Sequence, residues 1–187
     1  MSSFLKFVGY FSIIPLLIGL FFFSNFKGYY RFKNYCANEG GLRVYEQLNR
    51  DAGWWAESRY DAQVVAQLKY VEFVRYIDKK DGNAYDLRYV GGNPQRDSSF
   101  ESIPSDVKKQ IKYKWVRIRD DIEDEIRLKK FGHQVLDAAS DKILVSYYVL
   151  RYEIFDSQHL PLEVATMRFC PLLTDAWVFD INSAFKN

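Results

Sequence analysis

The sequence predicts an α+β protein: an antiparallel sheet of hairpins with helices on one face, preceded by a single N-terminal transmembrane helix. Three observations point there. Residues Phe7 to Phe23 read FVGYFSIIPLLIGLFFF, without a charge. Two pairs of β-rich segments are each joined by a short polar turn, at Asp81-Gly82 and at Ala139-Ser140-Asp141. Between the anchor and the first pair, apolar residues recur at helical spacing.

Composition bounds the rest. The chain has 187 residues, 48% of them hydrophobic, which suits one domain with an appendage and excludes wholesale disorder. Lys+Arg 26 against Asp+Glu 24 leaves a net charge of +2, without the basic excess of a nucleic-acid partner. Two cysteines are too few for a disulfide scaffold or a four-cysteine zinc site.

The apolar run comes first. At about 1.5 Å per residue it spans about 26 Å, short of the roughly 30 Å hydrocarbon core. Extending it from Phe4 to Phe26 closes the gap, because Lys6 can snorkel to the headgroups. Pro15 is tolerated in a membrane span. No small-residue pair follows to serve as a cleavage site, which favours an uncleaved anchor. The chain then divides into an anchor at 1–26, an aromatic and basic interfacial linker at 27–35, and an α+β extracytoplasmic domain at 36–187. In the linker, Lys27, Tyr29, Tyr30, Arg31, Phe32 and Lys33 suit a membrane interface, with rings at headgroup depth and cations beside phosphates. The same residues also read as a basic linker with a few core aromatics. Positive charge alone favours a cytoplasmic C-terminus, since Lys27, Arg31 and Lys33 outweigh Lys6 and the amino terminus.

After Gly40-Gly41, Leu42 to Glu46 alternates as a strand. Asp51 to Leu68 reads as a helix, with Tyr60, Val64 and Leu68 four apart and Val65 beside them. Tyr70 to Ile77 and Ala84 to Val90 make the first hairpin. Gly91 to Ser99 is a loop, and Ser102-Ile103-Pro104 opens a short helix. Val107, Ile111, Trp115, Ile118, Ile122 and Ile126 fall on one helical face. Lys112 to Arg119 also reads as a strand with Tyr113, Trp115, Arg117 and Arg119 on one side; periodicity favours the helix. Phe131 to Ala138 and Lys142 to Tyr152 make the second hairpin. The tail from Leu172 to Phe185 packs as a short helix or strand through Trp177, Val178, Phe179, Ile181 and Phe185.

Chemistry is sparse. Cys36 and Cys170 form a disulfide if the domain is outside the cytoplasm, or stay two unrelated thiols inside it. His133 and His159 sit in no metal-ligand or triad motif, so no metal or cofactor is expected. Asp120, Asp121, Glu123, Asp124 and Glu125 lack the calcium-loop pattern and read as a solvated turn or helix face, balanced by Lys108, Lys109, Lys112 and Lys114. Gly91-Gly92 lacks the rest of a phosphate loop. Trp54 and Trp55 belong either to the core or to a candidate partner surface.

The stretch Cys36-Ala37-Asn38-Glu39-Gly40-Gly41-Leu42-Arg43-Val44-Tyr45-Glu46, read with Tyr113 to Asp124, Gln134 to Val145 and the late Cys170-Pro171, carries a resemblance. It resembles a loose group of uncharacterised, small exported or membrane-anchored proteobacterial proteins with a C…GG…VYE opening. Ser140-Asp141-Lys142 departs from that group's Thr-Gly-Glu type of turn. The resemblance implies no activity. It implies an exported domain with Cys36 bonded to Cys170, and a strand at Lys112 to Arg119. The resulting expectation is a single-pass protein of the bacterial inner membrane with its domain in the periplasm. Its role would be a non-enzymatic, membrane-anchored binding protein, in its narrower form an immunity or exclusion factor. Its partners would be the lipid bilayer and a protein, with no nucleic acid. The alternatives are a periplasmic hydrolase using His133 or His159, and a structural subunit of a membrane complex that packs Gly9, Ser12 and Gly19 of the span.

Overall fold

A computed structural model of the chain describes residues 23, 27–122, 128–154, 166–171 and 181–186. Among the described residues nine strands form one sheet: β1 (Gly41–Val44), β2 (Ala52–Ala56), β3 (Val71–Ile77), β4 (Ala84–Tyr89), β5 (Phe100–Pro104), β6 (Ile111–Asp121), β7 (Leu128–Asp137), β8 (Ile143–Ile154) and β9 (Thr166–Cys170). Their order is β1-β8-β7-β6-β2-β3-β4-β5, with β9 also paired to β8. The helices are α1, at 27–39, and α2 (Arg59–Ala66).

The all-antiparallel sheet expected from the hairpins is corrected to a mixed one. Central β2 runs parallel to both β3 and β6. Two antiparallel wings flank it, β3-β4-β5 on one side and β6-β7-β8 on the other. Both predicted hairpins stand, one in each wing. What they do not encode is the join, because parallel neighbours need crossover connections rather than turns. Helix α2 makes one crossover, from β2 to β3, and residues 105–110 make the other, from β5 to β6.

The helices also lie on opposite faces, not one. Residues of α2 (Ala62, Val65, Ala66) share a core with Trp54, Val74, Leu87, Trp115, Val135 and Val145. Phe32 of α1 packs with Leu128, Leu150 and Tyr152. Val145 differs in parity from Leu150 and Tyr152 along unbroken β8 pairing, so the two clusters sit on opposite sides of the sheet.

No helix among the described residues is long and apolar enough to cross a membrane. This overturns the single-pass inner-membrane placement with a periplasmic domain. The reason is visible in the helices themselves: α1 carries Lys27, Arg31, Lys33 and Glu39, and α2 has only 8 residues. The expected span from Phe4 to Phe26 lies, apart from Phe23, outside the described residues.

Local departures have local causes. The helix expected over Asp51 to Leu68 begins only at Arg59, where Ser58 caps it by accepting from the Asp61 backbone N–H at 3.1 Å. Ahead of it, Ala-Gly-Trp-Trp-Ala is a strand with neighbours on both edges, and it lacks the alternation of a half-exposed strand. Gly53 is required there, since a Cβ would meet the Gln110 carbonyl oxygen at 2.6 Å. The expected helix start at Ser102-Ile103-Pro104 is the end of edge strand β5, where proline is tolerated. The one helix that periodicity alone favours over Val107 to Ile126 is not formed, and the strand implied at Lys112 to Arg119 is present. From Ile111 to Asp121 the chain is strand β6, with Tyr113 and Trp115 buried and Arg117 and Arg119 exposed.

The second crossover is pinned by charge. Buried Arg75 on β3 donates through Nε and Nη2 to both oxygens of Asp86 on β4, at 2.7 and 2.9 Å. It also donates to the carbonyls of Asp106 and Lys109, at 2.6 and 3.4 Å, and Asp106 N–H returns a bond to Asp86 at 3.3 Å. At the far end, Phe185 bridges to Leu48 and packs its ring against Trp54 and Tyr70. Residues Trp177, Val178 and Phe179 of the tail lie outside the described residues.

Candidate binding groove

Strand alternation puts Arg117 and Arg119 of β6 on the sheet face that α2 covers only in part. Their cross-strand partners on β7 are His133 and Phe131. Tyr60 and Val64, one turn apart on α2, form the opposing wall. Together with Ile118 and Gly132 these residues line an open groove of about 380 Å³.

Four contacts organise the groove. Arg117 Nη2 donates to Asp61 Oδ1 at 2.5 Å, while Ser58 Oγ donates to Asp61 Oδ2 at 2.5 Å. The carboxylate is therefore committed to the helix start and to one arginine. The Arg117 guanidinium also lies over the Tyr60 ring, 5.1 Å from its centroid. His133 stacks on the Trp115 indole with centroids 4.5 Å apart. Burial, and then the Arg117 charge, push the His133 imidazole from its ordinary 6.5 down to about 4, against a smaller opposing pull from Asp61. It is neutral at physiological pH. Arg119 has no ion pair with any described residue.

The residues singled out in the sequence fall elsewhere. Trp54 is fully buried between Tyr113 and Phe185, so it offers no surface, and Trp55 is half-buried on the other side of β2. The stretch expected to be a linker is helical. Along α1, Tyr29, Phe32, Tyr35 and Cys36 face the sheet at helical spacing. Lys27, Tyr30 and Lys33 remain exposed, Arg31 is half-buried, and Lys33 Nζ sits 4.9 Å from the Tyr29 ring centroid. The aromatic and basic alternation thus produces an amphipathic helix docked through its rings on Tyr152.

Cys36 and Cys170 are bonded, with Cα atoms 5.8 Å apart, which ties α1 to the end of β9 beside Leu150. The Cys170-Pro171 peptide is cis. His159, Glu123, Asp124 and Glu125 lie outside the described residues; Asp120 and Asp121 end β6. Among the described residues, no group of three or more His, Cys, Asp or Glu could hold a metal ion.

Sequence reasoning placed Arg117 and Arg119 on one side of a strand, but did not name them as a site. The signal was the alternation Tyr113, Trp115, Arg117, Arg119, apolar then cationic, which marks where helix cover stops. Comparison with protein-family models, curated proteins and solved structures finds no match.

Proposed function

We propose that the chain is a non-enzymatic binding protein and that the groove between α2 and β6–β7 is its recognition surface for a protein partner. The observation that carries this is the exposed pairing of Arg117 and Arg119 with Phe131 and Tyr60. Arginine beside aromatic rings is the composition enriched at protein interfaces. The state of His133 supports binding over hydrolysis. A general base works best with a pKa near the operating pH, and this imidazole is held at about 4 beside a cation. The narrower immunity or exclusion role was argued from an anchored periplasmic location, and nothing in the groove itself carries it.

The test is capture from cell lysate on immobilised protein, with chemical crosslinking. The expected result is a crosslinked partner lost in Phe131→Ala and Arg119→Glu but retained in Lys79→Glu, a change at the exposed β3–β4 turn. Hydrolysis of chromogenic ester, amide, phosphate or glycoside substrates that disappears in His133→Asn would overturn the reading in favour of a hydrolase.

A further inference from the structure

The charges of the groove do not cancel. Arg117 is matched by Asp61 at 2.5 Å, and the second oxygen of that carboxylate is occupied by Ser58. His133 contributes no charge at neutral pH. Arg119, two residues along β6 and so about 7 Å from Arg117, is exposed and unpaired among the described residues. Among the described residues that line it, the groove therefore presents one cation without an ion pair. Directly across from it is Phe131, and the opposing wall is Tyr60 and Val64.

We propose that this groove seats an acidic segment of a partner protein, which presents a carboxylate to Arg119 and an aromatic or aliphatic side chain to Phe131, Tyr60 and Val64. The inference rests on the reading of the groove as a binding surface, and it specifies the chemistry of what binds. Charge complementarity selects the anion. The open form of the groove selects a chain segment, because small-molecule sites typically enclose about 70–90% of their ligand. A solvent-exposed arginine–carboxylate pair contributes at most about 1 kcal/mol by itself. Recognition therefore needs the apolar side chain as well, and the two wall residues supply its contact.

The experiment uses the whole protein and three labelled synthetic peptides that share tryptophan and leucine positions. One carries glutamate between them, one glutamine and one lysine. Anisotropy titration is expected to give the glutamate peptide an affinity up to about fivefold above the glutamine peptide, the ratio that about 1 kcal/mol yields, and a difference that shrinks as salt rises. Arg119→Glu is expected to reverse the preference toward the lysine peptide. Equal affinity for the glutamate and glutamine peptides, no effect of Arg119→Glu, or no binding by any peptide would overturn the proposal. So would indole-3-acetate binding as tightly as the glutamate peptide, which would make the ligand a small carboxylate. Equal binding of all three peptides that is lost in Phe131→Ala removes the acidic specificity while leaving the groove as a binding surface, so the two readings fail separately.

Discussion

Replacing Asp86 by leucine should unfold much of the molecule's margin of stability. The Asp86 side chain is 1% exposed and that of its partner Arg75 10%. The Arg75 pKa is raised, chiefly by its hydrogen bonds to Asp86, so the guanidinium stays charged in the fold. Asp86→Leu leaves that cation buried and strips the Asp106 N–H of its acceptor. Breaking a buried pair from one side costs about 3–5 kcal/mol. A domain of ordinary stability has about 5–15 kcal/mol in total. Arg75→Met should cost a similar amount, since it isolates the carboxylate and removes the donor from the Asp106 and Lys109 carbonyls. The double variant Arg75→Met/Asp86→Leu should cost clearly less than the sum, because no lone charge remains. Its residual loss reflects the Asp106 and Lys109 carbonyls left without their donor, below the roughly 1–3 kcal/mol of a fully buried group because Asp106 is exposed and Lys109 half-buried, so water can replace it. Urea denaturation of the four proteins gives the cycle, and protection of 105–110 in hydrogen exchange reports the crossover. Single variants within about 1 kcal/mol of wild type, or a double variant that equals the sum, would refute the reasoning.

Other perturbations have equally definite outcomes. Cys170→Ser opens a cross-link between residues 134 apart in sequence, which the chain-entropy estimate sets at about 5 kcal/mol; wild type and variant should melt together once dithiothreitol is present, and a difference that persists would contradict this. His133 has a folded pKa of about 4, below its ordinary 6.5, so the stability from its neutral form is complete above pH 6.5 and is lost as pH falls toward 4. The total is at most about 3 kcal/mol; His133→Gln should flatten that slope, and an imidazole that titrates near 6.5 by NMR would dismiss the effect. Gly132→Ala should destabilise by more than the usual surface change, because the new Cβ lands on the Tyr147 carbonyl of β8; a melting point equal to wild type would show that β7 and β8 are not so closely paired there.

Much of the secondary structure is legible in the residues. Asp81-Gly82 and Ala139-Ser140-Asp141 specify two turns through local backbone preference, and the β-rich segments beside them can only pair antiparallel across so short a connection. Cysteine arithmetic left Cys36 and Cys170 as the sole pair, and the fold brings them into bonding distance. The failures are equally specific. Ala52–Ala56 has no alternation because it lies inside the sheet, with β3 and β6 on its two edges and every residue but half-buried Trp55 buried, a fact of assembly that the segment does not carry. Val107 to Ile126 satisfies a helical period by coincidence; the strand that the resemblance implied at Lys112 to Arg119 is the one observed, and pairing with β2 and β7 decides for it.

Sequence by itself determined the turns and the hairpins, because each depends on neighbours within a few residues; it left the cysteine pairing and the form of β6 open between alternatives. Tertiary structure alone decided the parallel join at β2, the opposite placement of α1 and α2, and the burial of Trp54. It also made the groove, where Tyr60 and Val64 meet Arg117, Arg119, Phe131 and His133 from three separate elements. Those features arise where distant segments compete to cover the same apolar surface, and burial of that surface depends on which segments arrive together.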